Sequence, residues 1–388
     1  MSAENYTANE QSRSCSRPAR YVLLLLCVAI AVLVVLPRHS AADTPTDDQD
    51  KTGTQQRPVQ EIKTAAQVYK NIQVFKTLPA SELDQTMAFI SGALGVKCNH
   101  CHTNPFEKDD KLTKQTARRM IQMVFDLNKG SFAGDKAVSC FTCHRGKPLP
   151  VSVPAVGQNL WAPKPAPPKD VPLPTVDEIL DKYVQALGGA AALQKITSRV
   201  ARGSRIGADG VLIPEDVYQK APNKLLTVTS YPDIVFSNGF NGSEGWGRSS
   251  TGGVRELPGQ MLTQLKRDSE FYKELRTKEL YPKLTLIGKS PVADSEAYVI
   301  AATPVTGTPE KLYFDVRTGL LVRRYVESET VFGKFPLQTD YEDYREVDGI
   351  KLPFLITWSM PGRIWGRKVT EIKQNVAIDD QQFNLPRK

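Results

Sequence analysis

Apolar residues first recur at helical spacing between positions 81 and 94, where Leu83, Met87, Ile90 and Leu94 share one face. Pro79 and Ser81 stand near the start of that run and Gly95 at its end, so the pattern predicts a helix over 81–94. A second helix is predicted over 114–128, with Met120, Met123 and Leu127 on its apolar side and Gly130 and Gly134 breaking the chain after it. Thr175-Val176-Asp177-Glu178 forms a capping box that opens a third helix, 176–187, closed by Gly188-Gly189. Beyond Ser198 the pattern becomes strand-like, with turn signals every 8–12 residues. Segments 311–316 and 320–326 flank Arg317-Thr318-Gly319 as a hairpin, and 340–347 and 350–358 flank the tight-turn pair Asp348-Gly349. The run 261–280, apolar through Leu262, Leu265, Phe271 and Leu275, reads as one helix interrupting the strands. An antiparallel sheet curled around helices buries these faces.

Between the helical and strand-like regions, residues 146–174 hold nine prolines, an extended, semi-rigid composition without a core of its own. At the other end, 21–36 is an apolar run of 16 residues, preceded by Arg13, Arg17 and Arg20 and followed by Asp43, Asp47, Asp48 and Asp50. That asymmetry places the N-terminus inside and the rest of the chain outside. The run is short for a spanning helix and fits a signal h-region, with a cut after Ala42; a retained anchor stays open beside it. The polar stretch after it reads as a flexible spacer. The expected division is therefore a signal peptide or anchor (1–42), a spacer (43–64), a helical module (65–147), a proline-rich linker (148–174) and an α+β domain (175–388).

The chemistry concentrates in two short stretches, K-C-N-H-C-H-T (97–103) and S-C-F-T-C-H-R-G (139–146). Each contains C-x-x-C-H, the attachment pattern of a c-type haem. Two cysteines three apart add to the two vinyl groups on one porphyrin edge, and the histidine after them becomes the proximal iron ligand. Cys98, Cys101 and His102 would hold one haem, and Cys140, Cys143 and His144 a second. A zinc ribbon would place about 15–20 residues between its cysteine pairs. Here 38 intervene, and zinc gives no reason for a histidine after each pair. A thioredoxin-like dithiol would need only one motif, in a βαβ setting.

Residue usage sharpens this reading. Of six cysteines, Cys15 and Cys27 fall in the leader and the other four in the motifs; three of the four histidines, His100, His102 and His144, lie there too. Of the five methionines beyond the initiator, three sit on the two helices that precede the motifs. A thioether is a soft sixth ligand that raises the potential of the iron, so Met87 and Met120 are the candidate axial ligands, with Met123 an alternative to Met120. Each could instead fill the core. His100, inside its motif loop, is badly placed for its own iron, and Arg145 is either a propionate partner or an ordinary surface arginine. The chain of 388 residues is 40% apolar and 24% charged, with a net charge of +8. Its basic residues are scattered rather than gathered on one face, which argues against nucleic acid as a partner. A mild basic excess suits acidic docking surfaces or anionic headgroups.

N-I-Q-V-F-K-T-L-P (71–79), F-I-S-G-A-L-G-V-K-C-N-H-C-H (89–102), T-A-R-R-M-I-Q-M (116–123) and C-F-T-C-H-R-G-K-P-L-P (140–150) resemble the cytochrome c subunit of the bacterial photosynthetic reaction centre. The resemblance covers about 68–150 and implies helix–turn–motif units with Met87 and Met120 as sixth ligands. That family usually carries four haems, one of them histidine-ligated; this sequence has two motifs and no histidine to spare for that role. F-N-G-S-E-G-W-G (240–247), L-Y-F-D-V-R-T-G-L-L-V-R-R (312–324) and D-Y-R-E-V-D-G-I-K-L-P-F (343–354) resemble periplasmic lipoprotein-carrier-like domains over about 175–386. This second resemblance implies a half-barrel with an apolar concavity, which Trp246, Trp358 and Trp365 would line or, alternatively, support from within the core.

The sequence thus predicts a multidomain protein: a mainly α dihaem cytochrome c module joined to an α+β antiparallel half-barrel. The expected activity is one-electron relay between redox partners on the periplasmic side of the inner membrane, with two covalent haem c groups and no catalytic residues of its own. A lipid or quinone is the expected ligand of the C-terminal domain. A gas sensor or haem enzyme, with one open iron position, and an assembly module with haem as a structural staple are the rival readings.

Overall fold

The computed structural model describes residues 62–150, 172–257 and 259–385. The leader, most of the spacer and most of the proline-rich linker lie outside the described residues, and so do the expectations that rest on them. The described chain belongs to one compact unit, residues 60–388.

Eight α-helices are described: α1 (Ala65–Val68), α2 (Leu83–Leu94), α3 (Leu112–Ser131), α4 (Cys140–His144), α5 (Val176–Ala186), α6 (Ala190–Gln194), α7 (Gly259–Ser269) and α8 (Thr277–Leu280). Helix α2 ends where its sequence places a stop. Gly95 adopts the left-handed conformation, φ 64°, and its N–H closes on Ser91 O. Helix α3 is longer than its pattern predicts: it starts two residues earlier and runs through Gly130 to Ser131. Helix α5 opens on the predicted capping box, with the Thr175 hydroxyl accepting from Glu178 N–H at 3.2 Å and the Glu178 carboxylate accepting from Thr175 N–H at 2.7 Å.

The predicted helix over 261–280 is two helices. Between α7 and α8 the Phe271 N–H leaves the helical ladder and donates to Pro222 O at 3.0 Å, which lets the Phe271 ring enter the core beside Ile300 and Phe314. A tertiary contact overrides the local pattern at this point.

The strands form one open antiparallel sheet: β1 (Ser198–Ile206), β2 (Leu212–Lys220), β3 (Lys224–Ser230), β4 (Val235–Phe240), β5 (Gly245–Ser249), β6 (Gly253–Glu256), β7 (Lys283–Val292), β8 (Ser295–Thr303), β9 (Glu310–Asp315), β10 (Leu321–Thr330), β11 (Gly333–Val347), β12 (Ile350–Met360) and β13 (Arg363–Gln374). Their order is β6-β5-β4-β3-β2-β1-β13-β12-β11-β10-β9-β8-β7. Both predicted hairpins are present, β9–β10 and β11–β12, the latter turning on Asp348 (φ 49°) and Gly349 (φ 81°). Pairing of β1 with β13 joins two meanders at the centre, and α7 and α8 carry the chain from one sheet edge to the other.

Helices cover one face of the sheet. Ile179, Leu180, Tyr183 and Leu187 of the α5 region pack with Ile300, Leu312, Phe314 and Ile350. On the other face Leu226 and Trp246 meet Ile378 and Phe383 of the C-terminal tail, and the indole N–H of Trp246 donates to Phe383 O at 2.9 Å. Trp246 is thus a core residue. Trp358 and Trp365 are only half-buried: they pair across β12–β13, with ring centroids 6.3 Å apart, under the guanidiniums of Arg367 and Arg363.

Three strand carboxylates are buried among the described residues: Asp315, which caps its own β9–β10 turn by accepting from Arg317 N–H and Thr318, and two that face cations. Glu215 accepts from Arg367 and from the Thr229 hydroxyl (3.1 Å), with Arg205 at 3.7 Å. Glu310 accepts from Arg267, Arg324 and the Tyr281 hydroxyl (2.6 Å). The helix-covered side thus holds buried ion pairs as well as apolar residues.

Candidate haem sites

Each attachment motif folds as one helical turn. In the first, Cys98–His100 is a 3₁₀ turn, and the N–H groups of Cys101 and His102 both donate to Cys98 O, at 3.3 and 3.0 Å. In the second, all five residues form α4, opened by a capping box between Ser139 and Thr142. Residues three apart on such a turn lie on one side of it. That is what a cysteine pair needs to reach two substituents on one porphyrin edge. All four thiols are free; Cys98 and Cys143 are exposed, while Cys101 and Cys140 are half-buried. Burial pushes the Cys140 thiol up to about 11 and also raises Cys101, so neither is poised as a thiolate. Among the described residues no three His, Cys, Asp or Glu side chains are arranged to hold a metal ion. The four cysteines do not converge as they would in a zinc ribbon.

The histidines carry the clearest geometric signal. His102 Nδ1 lies 3.1 Å from Phe106 O, and His144 Nδ1 lies 3.0 Å from Lys147 O. A carbonyl only accepts, so in each ring Nδ1 carries the proton and donates. The Nε2 lone pair is left for a metal, and the ring orientation is fixed by the backbone. These rings and thiols fit covalent haem: paired cysteines on one turn, a following imidazole of the right tautomer, and apolar surface nearby. Phe106 packs on the His102 ring with centroids 5.1 Å apart, and Phe141, inside the second motif, is 54% exposed.

Backbone ties the end of the second motif to the helix that leads into the first. Gly146 N–H, two residues after His144, donates to Ala93 O near the end of α2 at 2.9 Å. A Cβ at Gly95 would lie 2.1 Å from Gly146 O, so only glycine permits this approach. The Asn128 side chain fixes the approach to the second motif by exchanging two hydrogen bonds with Val138, 2.7 and 2.9 Å.

Met87 is half-buried and packs on the core of the helical segment. Met120 is half-buried on α3, one position before the buried stripe Ile121, Val124 and Asn128; Met123 is 41% exposed. His100 is half-buried, and its carbonyl accepts from the Thr113 hydroxyl at 2.6 Å. Arg145 is exposed, in the left-handed conformation with φ 49°.

Sequence reasoning missed two supporting groups. One is an ionic cluster after the first motif. There the Lys114 ammonium donates to Phe106 O (2.9 Å) and Lys108 O (2.6 Å) and pairs with Asp109 (3.0 Å), and Arg118 binds both Asp109 oxygens at 2.9 Å. Arg118, then Lys114, hold the Asp109 carboxyl well below the usual carboxylate range. The other is aromatic and comes from the sheet. Phe332, 1% exposed, and Phe335 project from the β10–β11 hairpin into the helical segment, where they meet Phe75, Phe89 and Phe125 at ring-centroid distances of 5.4–6.0 Å. Nothing local in V-F-G-K-F (331–335) distinguishes it from a sheet's own core.

Residues 35–171 match the family model described as the photosynthetic reaction centre cytochrome C subunit. The photosynthetic reaction center cytochrome c subunit of Thermochromatium tepidum is 37% identical over 91 residues, which is 22% of this chain and 22% of that protein. The same subunit from Rubrivivax gelatinosus is 34% identical over 134 residues, 32% of this chain and 36% of that one. The chain thus spans between a fifth and about a third of the length of these relatives. In structure it is similar to a LolA superfamily protein of Nitrosomonas europaea, with a TM-score of 0.39 and 15% identity over 55% of this chain and 98% of that one. The N-terminal region of this chain, with both attachment motifs, is similar in sequence to the cytochrome c subunits of photosynthetic reaction centres, and it is joined to a large antiparallel sheet domain.

Proposed function

We propose that this chain is an exported c-type cytochrome carrying two covalent haems and relaying single electrons between redox partners on the periplasmic side of a membrane. The observation that carries the reading is the repeated arrangement at His102 and His144. Both rings donate from Nδ1 to a carbonyl three or four residues on, after a cysteine pair on one helical turn. Cys98, Cys101, Cys140 and Cys143 hold the porphyrins; His102 and His144 are the proximal ligands, and Met87 and Met120 the distal ones. The haem supplies reversible one-electron chemistry. The protein orients the imidazoles through the Phe106 and Lys147 carbonyls and ties the end of the second motif to α2, the helix that leads into the first.

The sheet domain serves this module as a scaffold, since its hairpin completes the module's core. A lipid or quinone bound on its helix-covered side would add a membrane-docking role; delipidated protein that takes up neither a labelled phospholipid nor a quinone would remove that addition.

The test is a spectrum of the full chain matured by a cytochrome c system. The expected result is two haems per chain by pyridine haemochrome, a methionine-to-iron charge-transfer band, and no response to carbon monoxide. The Cys98→Ala/Cys101→Ala and Cys140→Ala/Cys143→Ala variants should each retain one haem. Rapid carbon monoxide binding at one site would replace relay by sensing or catalysis there and remove Met87 or Met120 as a ligand.

A further inference from the structure

The two histidines are tied alike but not equally. His144 donates to the Lys147 carbonyl, and among the described residues no cation shares that oxygen. His102 donates to the Phe106 carbonyl, which also accepts from the Lys114 ammonium at 2.9 Å. Lys114 is 8% exposed, and its donors are all engaged: Phe106 O, Lys108 O and the Asp109 carboxylate. Arg118 binds both Asp109 oxygens and Asn71 O, so two cations contact Asp109, while the neighbouring Asp110 carboxylate accepts instead from the Thr103 hydroxyl at 3.1 Å. Asn71 completes the cluster by donating to Glu107 O at 2.5 Å and to Asp109 at 3.0 Å. This fixes the loop that presents the Phe106 carbonyl. The ammonium therefore has a built position against the one backbone atom that orients His102.

Resting on the two-haem reading, we propose that Lys114 is a positioning residue that raises the reduction potential of the first haem through the Phe106 carbonyl. Two effects of the same sign support it. A carbonyl that also accepts from an ammonium pulls less on the imidazole proton, so His102 is the weaker electron donor to iron and the ferric state is less stabilised. The positive charge of the ammonium itself also disfavours the more positive oxidation state directly. Among the described residues no ammonium donates to the Lys147 carbonyl, so the two histidines are tied to carbonyls that differ in what else they accept.

The experiment is an equilibrium redox titration of the full-length, haem-loaded chain. Cys140→Ala/Cys143→Ala isolates the first site and Cys98→Ala/Cys101→Ala the second. In the first background, Lys114→Gln should lower the midpoint, seen as a several-fold smaller reduced fraction at a fixed applied potential. Lys114→Arg should restore most of it, and Asp109→Asn should move the midpoint up. In the second background none of these should shift it. Opposite shifts for Lys114→Gln and Asp109→Asn separate charge from structure, because loop collapse would move both the same way. An unmoved first haem, shifts of one sign, or an equal shift at the second site would overturn the proposal. The haemochrome count in the first background reports separately on the two-haem reading, since an absent first haem shows as zero haem rather than as an unmoved potential.

Discussion

The helical segment, 62–150, and the sheet, 172–385, solve the burial problem differently. In the sheet every strand is paired into one ladder, and Ile179, Tyr183, Ile300, Phe314 and Ile350 form a core from within the domain. The helical segment has one 20-residue helix, one of 12 and little else. Its core of Ala65, Phe75, Leu78, Leu83, Phe89, Ala93, Ile121 and Val124 is closed by Phe332 and Phe335 from the sheet. A small unit buries a smaller share of its surface than a larger domain does, so each apolar contact is a larger part of its stability. This one therefore depends on apolar groups from outside itself, the two phenylalanines and, on the proposed function, the haems. Separation by a proline-rich sequence does not imply independence of the parts it separates.

The largest expected effect follows from dividing the two regions. A chain starting at 172 should keep a cooperative thermal transition. A chain ending at 150 loses both phenylalanines at once, at about 3–5 kcal/mol for each. That sum is comparable to the whole stability of a typical domain. Circular dichroism of the two fragments checks this, and a cooperative melt of the 62–150 fragment without haem would end the comparison.

Single substitutions sharpen the contrast. Phe332→Ala should cost about 3–5 kcal/mol, and the loss should fall on the helical segment. Phe314→Ala removes a side chain 2% exposed and should cost a similar amount in the sheet. Urea titration followed by absorbance at the haem and by tryptophan fluorescence separates the two. The haem signal should unfold first in Phe332→Ala, and the fluorescence first in Phe314→Ala. Coincident transitions in both variants would mean that the segments form one cooperative unit.

A smaller effect is expected where the β12–β13 turn touches α2. A Cβ at Gly92 would meet Pro361 Cβ at 2.6 Å and Pro361 O at 2.7 Å, so Gly92→Ala forces the turn away. Overpacking of this kind costs about 1–3 kcal/mol. The gain in helix propensity of about 1 kcal/mol opposes part of it. The urea midpoint of the haem signal should fall by the difference; an unchanged or raised midpoint would show that this contact contributes nothing.

What the sequence made legible was local. Gly95 stops α2, Thr175 and Glu178 start α5, and Asp348-Gly349 turns β11 into β12, because each is decided by a few neighbouring residues. The motif turns belong to the same class, since C-x-x-C-H is itself one helical turn. What stayed hidden depends on residues far apart in the chain. Phe332 joins a core that begins at Ala65, Phe271 breaks a helix to reach Pro222, and Glu215 is buried against Arg367. The Lys114 cluster is intermediate. Its members are close in sequence apart from Asn71, but L-T-K-Q-T-A-R-R (112–119) looks like any polar helix start until the loop folds over it.

The smallest expected effect concerns that loop. Arg118 and Lys114 depress the native ionisation of Asp109 below its ordinary value, so the unfolded chain binds this proton more readily than the folded one. Stability then rises with pH through the interval between the two values. The contribution should be full above about pH 4, the ordinary aspartate value. It should decline below that and vanish once the pH has fallen through the depressed native value. The Asp109 carboxylate is 36% exposed, so its interaction is partly screened and the amplitude is modest and shrinks with added salt. Melting temperatures of the wild type and Asp109→Asn, measured from pH 6 to pH 2, read it directly: the gap between them should be constant at the upper end and close on acidification. A gap that widens as the pH falls would reverse the sign of the coupling and leave Asp109 no part in holding the loop that presents the Phe106 carbonyl to His102.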